Sequence, residues 1–111
     1  MAVHYVLYVW PPNEHRGDID DWPVMIFNEI VDLVILRVIE IYPDGHTGLA
    51  RLCDMLELGG AGVPDQEMPE DFLQDKTSRL IATEITEEQF ERYWRKAVDR
   101  IEHELGIVVT D

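Results

Sequence analysis

The sequence predicts an α+β fold, an antiparallel sheet of about five strands with one C-terminal helix packed on one face. Two observations support this class: short runs rich in β-branched and aromatic residues fill the first half of the chain, and a strongly amphipathic segment follows residue 86. A sheet and a helix that each carry an apolar side bury those sides against one another. With 111 residues, the chain is expected to form a single domain over residues 1–111.

The first strand is predicted at Val3–Trp10, a run rich in Val, Tyr, Leu and Trp that two prolines end. The next apolar segment, Val24–Val31, fits two structures. Asp20 or Asp21 would cap a helix with Pro23 in its first turn, whereas the same apolar residues also suit a strand. The residues alone leave both alternatives open.

A hairpin is predicted from Leu33–Tyr42 and His46–Cys53, because the intervening Pro43-Asp44-Gly45 is a turn sequence. Proline presets φ for the turn, and glycine accepts a positive φ. Cys53 ends an apolar run and is therefore expected to be buried. A last short strand is predicted at Arg79–Ile85.

The helix signal after that strand is the strongest in the chain. Thr86 and Gln89 have the capping-box spacing, and Glu87 and Glu88 place negative charge at the positive end of the helix dipole. Gly106 is positioned to end the helix. One apolar stripe at helical spacing is expected to form the core: Phe90, Tyr93, Trp94, Ala97, Val98, Ile101 and Leu105.

Between the hairpin and the last strand, Leu58 to Thr77 has no periodic pattern and is expected to be a functional or mobile segment. Its Gly59-Gly60-Ala61-Gly62 lacks the Lys-Ser/Thr of a phosphate-binding loop. We interpret these glycines as a flexible loop without a phosphate site.

The charge excludes several partners. With 23 acidic residues against 9 basic ones, the formal net charge is −14. A nucleic-acid-binding module or a protein that docks on an anionic membrane needs the opposite sign. Residues 13–75 carry 15 of the acids and only three basic residues, whereas the helix is nearly balanced. This asymmetry serves either solubility or complementarity to a basic partner. Two i, i+4 ion pairs are expected on the helix, Glu88–Arg92 and Glu91–Arg95.

No catalytic residue, metal site or cofactor is predicted. Asp18-x-Asp20-Asp21 begins like a calcium loop, but Trp22 and Pro23 stand where a ligand and the turning glycine belong. The four histidines are scattered, and His46 is interpreted as a turn residue beside Asp44. The single cysteine has acidic surroundings, which oppose thiolate formation.

Three blocks of the sequence resemble a family of small acidic bacterial domains of unknown function. The blocks are Pro23-Val24, Ile39-Glu40-Ile41-Tyr42-Pro43-Asp44-Gly45 and the stretch from Glu84-Ile85 through Phe90 to Trp94. The resemblance covers about the central and C-terminal three-quarters of the chain. It implies a strand at Val24–Ile30 and carries over no activity and no catalytic residues. Proteins of this general type are often encoded beside toxins as immunity proteins.

The leading hypothesis is therefore a non-catalytic, cytoplasmic, acidic binding protein, an immunity-type inhibitor of a basic, nuclease-like toxin. No signal peptide or membrane span is predicted, and the oligomeric state is open. One alternative is a small metal- or metabolite-binding enzyme that uses the acidic loops. Another is an oligomeric structural module that pairs through a sheet edge. The predicted partner-binding residues are Asp18, Asp20, Asp21, Trp22, Asp65, Glu67, Glu70, Asp71 and Asp75.

Overall fold

The computed structural model describes residues 2–10, 23–64, 67–70, 73 and 80–110. These residues form six strands and one helix in the order β1 to β6 and then α1. The elements are β1 Val3–Val9, β2 Met25–Val31, β3 Val34–Ile41, β4 Thr47–Arg51, β5 Leu56–Leu58, β6 Ile81–Ile85 and α1 Glu87–Leu105.

The strands form one antiparallel sheet in the order β5-β4-β3-β2-β1-β6. This architecture confirms the predicted α+β class, with six strands where about five were expected. The ambiguous segment is a strand, β2, and β3 and β4 form the expected hairpin. The additional strand is β5, whose three residues are too few to show an alternating pattern.

Helix α1 begins and ends where the sequence predicts. The Thr86 side chain accepts a hydrogen bond from the Gln89 N–H, the Gln89 side chain accepts one from Thr86, and Gly106 closes the helix with φ 66°. The helix packs on one face of the sheet, termed the helix face, around a cluster of Phe27, Ile39, Leu49, Phe90, Trp94, Ala97 and Ile101. Two members of the predicted stripe lie at its margins instead: Tyr93 is 41% and Leu105 is 53% exposed.

No helix in the described part of the chain is long and apolar enough to cross a bilayer.

A bulge in β3 sets which residues face the helix. Glu29 of β2 pairs with Arg37, but Ile30 pairs with Ile35, so Leu36 is an extra residue between them. Ile35 and Val38 therefore reach the same core cluster although they are three residues apart. Arg37 lies on the helix face, two residues before Ile39, on the C-terminal side of the bulge.

The opposite face of the sheet has its own core, formed by Val6, Tyr8, Ile30, Ile35, Val38, Ala50 and Ala61. The chain from residue 59 to residue 80, termed the covering segment, connects one edge of the sheet to the other. Ala61, Val63, Met68, Leu73 and Leu80 of this segment pack on that core, and the Met68 N–H donates to the Leu33 carbonyl at 2.7 Å. The described residues of this segment therefore have a structural role, which the lack of periodicity in the sequence did not indicate.

The glycines that begin the covering segment form a tight turn against β4. Gly59 and Gly60 adopt positive φ values of 67° and 91°. A Cβ atom on Gly48 would lie 2.9 Å from the Gly59 carbonyl oxygen and 3.0 Å from the Ala61 Cβ atom. The close approach buries Ala61, which is 3% exposed. Where the sequence suggested a flexible loop, these glycines allow the chain to pass directly over the edge of the sheet.

Candidate binding surfaces and the helix groove

Arg37 is the centre of a polar cluster between the sheet and α1. Its Nε and Nη2 atoms donate to the two carboxylate oxygens of Glu29 at 2.8 and 2.9 Å, and its Nη1 atom donates to Glu91 of the helix at 3.3 Å. The guanidinium carbon lies 4.9 Å from the centre of the Phe90 ring and 5.0 Å from that of Trp94. The Arg37 and Glu29 side chains are only 18% and 14% exposed. The cluster therefore joins β2, β3 and α1 through hydrogen bonds to charged groups.

The ionisation of this cluster follows from its contacts. Burial works against the Arg37 charge, but hydrogen bonds to Glu29 and Glu91 raise the pKa of Arg37 above its ordinary value. The same guanidinium lowers the pKa of Glu91, against the smaller opposing effect of burial. Burial, followed by the negative charge of Glu29, raises the pKa of Tyr5 to about 12. All three groups thus hold fixed protonation states near neutral pH.

The pairing of Glu91 corrects one expectation from the sequence. Glu91 binds Arg37 of the sheet instead of Arg95, because its position on α1 turns it toward β3. The other expected helix pair is present, with Arg92 Nη2 and Glu88 Oε1 3.5 Å apart. Arg95 consequently forms no hydrogen bond or ion pair with a described residue, and its charge acts on Glu91 only through space.

Arg51 lies directly opposite Arg37 across the β3–β4 ladder, and both face the helix side. Two like charges side by side on neighbouring strands repel one another unless each is compensated. Asp54 compensates Arg51, accepting hydrogen bonds from Nε at 3.1 Å and Nη2 at 2.7 Å. Asp54 belongs to the turn between β4 and β5.

Cys53, in the same turn, is exposed, so the expectation that it is buried was wrong. The reason is that β4 ends at Arg51, and the chain reverses at Leu52–Met55 instead of continuing as a strand. Asp54 stabilises the reversal by accepting a hydrogen bond from the Leu56 N–H at 3.3 Å.

A pocket of about 600 Å³ lies between α1 and the sheet, beside Arg37, Arg51 and Cys53, and is termed the helix groove. Its apolar wall consists of Leu36, Leu52, Trp94, Val98 and Val109. Its charged groups are three guanidiniums and three carboxylates, from Arg37, Arg51, Arg95, Glu29, Glu91 and Glu102. Two of its lining residues, Cys53 and Arg95, are exposed.

Charge is distributed unequally between the two layers. Every lysine and arginine among the described residues belongs to α1 or to the helix face of the sheet: Arg37, Arg51, Arg92, Arg95, Lys96 and Arg100. On the opposite side, Glu57, Glu67 and Glu70 are exposed. No ion pair joins these three to the part of the chain that the structure describes. The described surface of the covering segment is therefore acidic without compensation.

Two of the predicted partner-binding residues lie on this acidic surface. Glu67 and Glu70 flank Met68, whose side chain packs on the sheet, and both are exposed. The others lie outside the described residues: Asp18, Asp20, Asp21, Trp22, Asp65, Asp71 and Asp75. The structure therefore locates the predicted binding residues only at Glu67 and Glu70, and the role of the whole set stays a prediction.

A second polar cluster lies at the β3–β4 turn. The His46 N–H donates to Asp44 Oδ1 at 3.0 Å, and the His46 ring stacks on Tyr42 with a centroid separation of 4.2 Å. Tyr42 donates its hydroxyl hydrogen to Glu40 at 2.5 Å; burial raises the pKa of Glu40, and this hydrogen bond opposes the rise. These contacts match the interpretation of His46 as a turn residue.

No group of three or more His, Cys, Asp or Glu side chains with metal-site geometry occurs within the described ranges.

Sequence reasoning missed the helix groove. The available signal was that Glu29, Arg37 and Arg51 interrupt strands otherwise rich in apolar residues. A charged residue within a buried strand needs a partner. Its partners here come from a neighbouring strand, a distant helix and a turn, and the sequence alone does not indicate which of these meet.

The fold and its surfaces define a two-layer α+β domain with an acidic covering segment and a groove beside its helix. Residues 9–99 match the family described as "Domain of unknown function (DUF6881)", and the chain belongs to this family. The match spans all three blocks on which the resemblance was based. No protein of curated function and no solved structure matches the chain.

Proposed function

We propose that this protein is a non-catalytic binding protein that docks its acidic side on a basic protein and inhibits it, in the manner of an immunity protein against a nuclease-like toxin. The observation that carries the proposal is the separation of charge. The covering segment presents exposed carboxylates without compensating cations among the described residues, while the described arginines and lysine belong to the helix side.

This arrangement suits a cationic partner for a physical reason. An enzyme that cleaves nucleic acid binds phosphates in a positively charged groove. A surface with carboxylates such as Glu67 and Glu70 would compete for that groove, and attraction between opposite charges speeds the encounter. Met68 anchors this part of the segment on the sheet, which reduces the ordering cost of binding.

The proposal places the protein in the cytoplasm of its host. Cys53 is the single cysteine, and its thiol is exposed. An exposed free thiol persists best in a reducing compartment.

The first experiment identifies the partner and tests its charge. The tagged chain is incubated with lysate of its native host, washed, and eluted with a salt gradient, and the eluted proteins are identified by mass spectrometry. The expected result is one basic protein that elutes only at high salt, since the Debye length falls from ~10 Å at 0.1 M to ~3 Å at 1 M. The purified partner is then assayed for nucleic-acid cleavage with increasing amounts of this protein, and cleavage should stop at a fixed stoichiometry.

A matched pair of double variants tests the surface. Glu67→Gln/Glu70→Gln and Glu88→Gln/Glu104→Gln remove the same charge from opposite sides of the molecule. The first variant should reduce the association rate with the purified partner by about 3–10-fold at low salt, and the second should change it far less. Equal effects of the two variants, or binding that does not respond to salt, would contradict the proposal.

A further inference from the structure

The helix groove has the size and wall of a small-molecule site. Its volume of about 600 Å³ lies within the roughly 300–1,000 Å³ typical of ligand pockets. Trp94, Val98 and Leu52 offer an apolar wall, and charged groups converge from both layers. It lies on the opposite side of the sheet from Glu67 and Glu70, so an inference about it is independent of the proposed function.

The charges of the groove indicate which ligand it would take. Its carboxylates are already engaged: Glu29 and Glu91 accept hydrogen bonds from Arg37, and Glu102 accepts one from the Val109 N–H at 2.7 Å. Arg51 is compensated by Asp54. The remaining guanidinium, that of Arg95, forms no hydrogen bond or ion pair with a described residue, and Arg95 is exposed. The groove therefore combines an apolar wall with one guanidinium, that of Arg95, whose N–H donors have no hydrogen-bond acceptor among the described residues.

We propose that the helix groove binds a small organic monoanion with an apolar body of one or two rings. The rings would lie against Leu52, Trp94 and Val98, and the carboxylate or sulfonate would accept hydrogen bonds from Arg95. Arginine suits this role because its planar guanidinium matches the geometry of such an anion. The Arg37 cluster keeps Trp94 in place through the guanidinium on its ring.

The net charge of −14 does not prevent anion binding in this groove. At 0.15 M salt the Debye length is about 8 Å, so distant carboxylates act weakly on a ligand beside Arg95. With Asp54 counted beside Arg51, the groove and its surroundings carry three guanidiniums against four carboxylates, so anion binding would depend on the free N–H donors of Arg95 and not on a positive potential.

Two fluorescent probes that differ in one charged group test the proposal. Anilinonaphthalene sulfonate has the sulfonate, and phenylnaphthylamine is the same body without it. Both are titrated into the wild type, Arg95→Gln and the control Arg92→Gln. Arg92 is an exposed arginine of the same helix that pairs with Glu88 and does not line the groove. Circular dichroism melting verifies that each variant is folded.

The sulfonate probe should bind the wild type with 1:1 stoichiometry and lose about tenfold in affinity in Arg95→Gln, the scale of one charge-assisted hydrogen bond. Phenylnaphthylamine should bind the wild type and Arg95→Gln equally, and Arg92→Gln should behave as the wild type with both probes. Equal losses of sulfonate-probe affinity in Arg95→Gln and Arg92→Gln would show that the loss comes from the general surface charge, which would overturn the proposal.

Alkylation of Cys53 locates the probe. Cys53 is the single thiol, lines the groove and is exposed, so its reaction with iodoacetamide reports on that place alone. A saturating amount of the sulfonate probe should slow alkylation several-fold, as measured by mass spectrometry. An unchanged rate would show that the probe binds elsewhere. Failure of both probes to bind the folded protein, whether light scattering shows a monomer or a dimer, would show that the groove takes no ligand of this kind. Either result would overturn the proposal.

Discussion

The guanidinium carbon of Arg37 lies 5.0 Å from the centre of the Trp94 ring, although the two residues are far apart in the sequence. Arg37 belongs to the centre of the sheet and Trp94 to the helix that covers it. The Arg37 guanidinium can keep its charge between the sheet and the helix because it donates hydrogen bonds to Glu29 on one side and to Glu91 on the other. The cluster combines packing and ionic bonds, and each can be tested separately.

Removal of Arg37 should destabilise the protein strongly. Arg37→Ala leaves Glu29, which is 14% exposed, without its bidentate partner, and a broken buried pair costs about 3–5 kcal/mol. The free energy of unfolding is measured by urea denaturation. The control Arg92→Ala breaks the exposed pair with Glu88 and should cost at most about 1 kcal/mol.

The double variant Glu29→Met/Arg37→Met tests whether the unpaired Glu29 carboxylate causes the loss of stability in Arg37→Ala. It removes both charges and keeps the apolar contacts of the side-chain stems, so it should be more stable than Arg37→Ala. If it is as unstable as the single variant, the unpaired Glu29 carboxylate is not the source of the loss, which then comes from the missing contacts of the guanidinium with Glu91 and the two aromatic rings.

Truncation of Trp94 should cost more than truncation of its neighbour. Trp94 is 5% exposed in the core, whereas Tyr93 is 41% exposed and contacts Phe27 at a centroid distance of 4.6 Å. Trp94→Ala should lower the free energy of unfolding by about 3–5 kcal/mol. Tyr93→Ala should lower it by about 1 kcal/mol, the size of one exposed aromatic pair. An unchanged melting curve for Trp94→Ala would contradict the observed packing.

Two glycine substitutions should destabilise the protein for different reasons. Gly48→Ala brings a Cβ atom to 2.9 Å from the Gly59 carbonyl oxygen, and such overpacking costs about 1–3 kcal/mol. Gly106 has φ 66° and no heavy atom within 4 Å of an added Cβ, so Gly106→Ala carries only the left-handed backbone cost of about 1–2 kcal/mol. Gly106→Asn should recover part of the loss, because asparagine tolerates this conformation, whereas Gly48→Asn should be worse than Gly48→Ala. Thermal unfolding compares all four variants.

Glu91 and Glu40 should respond to acid in opposite directions. Arg37 lowers the folded-state pKa of Glu91 below its usual 4.5, so its stabilising effect is present above pH 4.5 and disappears as pH falls through the folded-state value. Burial raises the folded-state pKa of Glu40 above 4.5, so this residue costs stability above its folded-state value and nothing below pH 4.5.

Glutamine variants measured against pH separate these two effects. Glu91→Gln should be less stable than the wild type at pH 7, and the difference should shrink as pH falls below 4.5. Glu40→Gln should be more stable at pH 7, and its advantage should vanish toward pH 4.5. Urea denaturation across this range supplies both curves. A difference that stays constant with pH would mean that ionisation of the residue is not its cause.

Most elements could be predicted from the sequence because their signals are local. The Thr86 and Gln89 capping box, the Gly106 end and the Pro43-Asp44-Gly45 turn depend on neighbouring residues, and the structure confirms all three. The exceptions were β5, which is too short to show a pattern, and β2. The apolar residues of β2 fit the spacing of a helix as well as that of a strand, and only the pairing with β1 and β3 makes this segment a strand.

The sequence by itself determined the α+β class, the position of the helix and the excess of negative charge, since each depends on composition or on residues close together in the chain. The tertiary structure alone decided the rest. The pairing of β3 with β2 placed Arg37 beside Glu29 under the helix, the turn at Leu52–Met55 exposed Cys53, and the described residues between β5 and β6 cover the second core. These features depend on contacts between distant residues, which form only when the register of the strands and the crossing of the chain are fixed together.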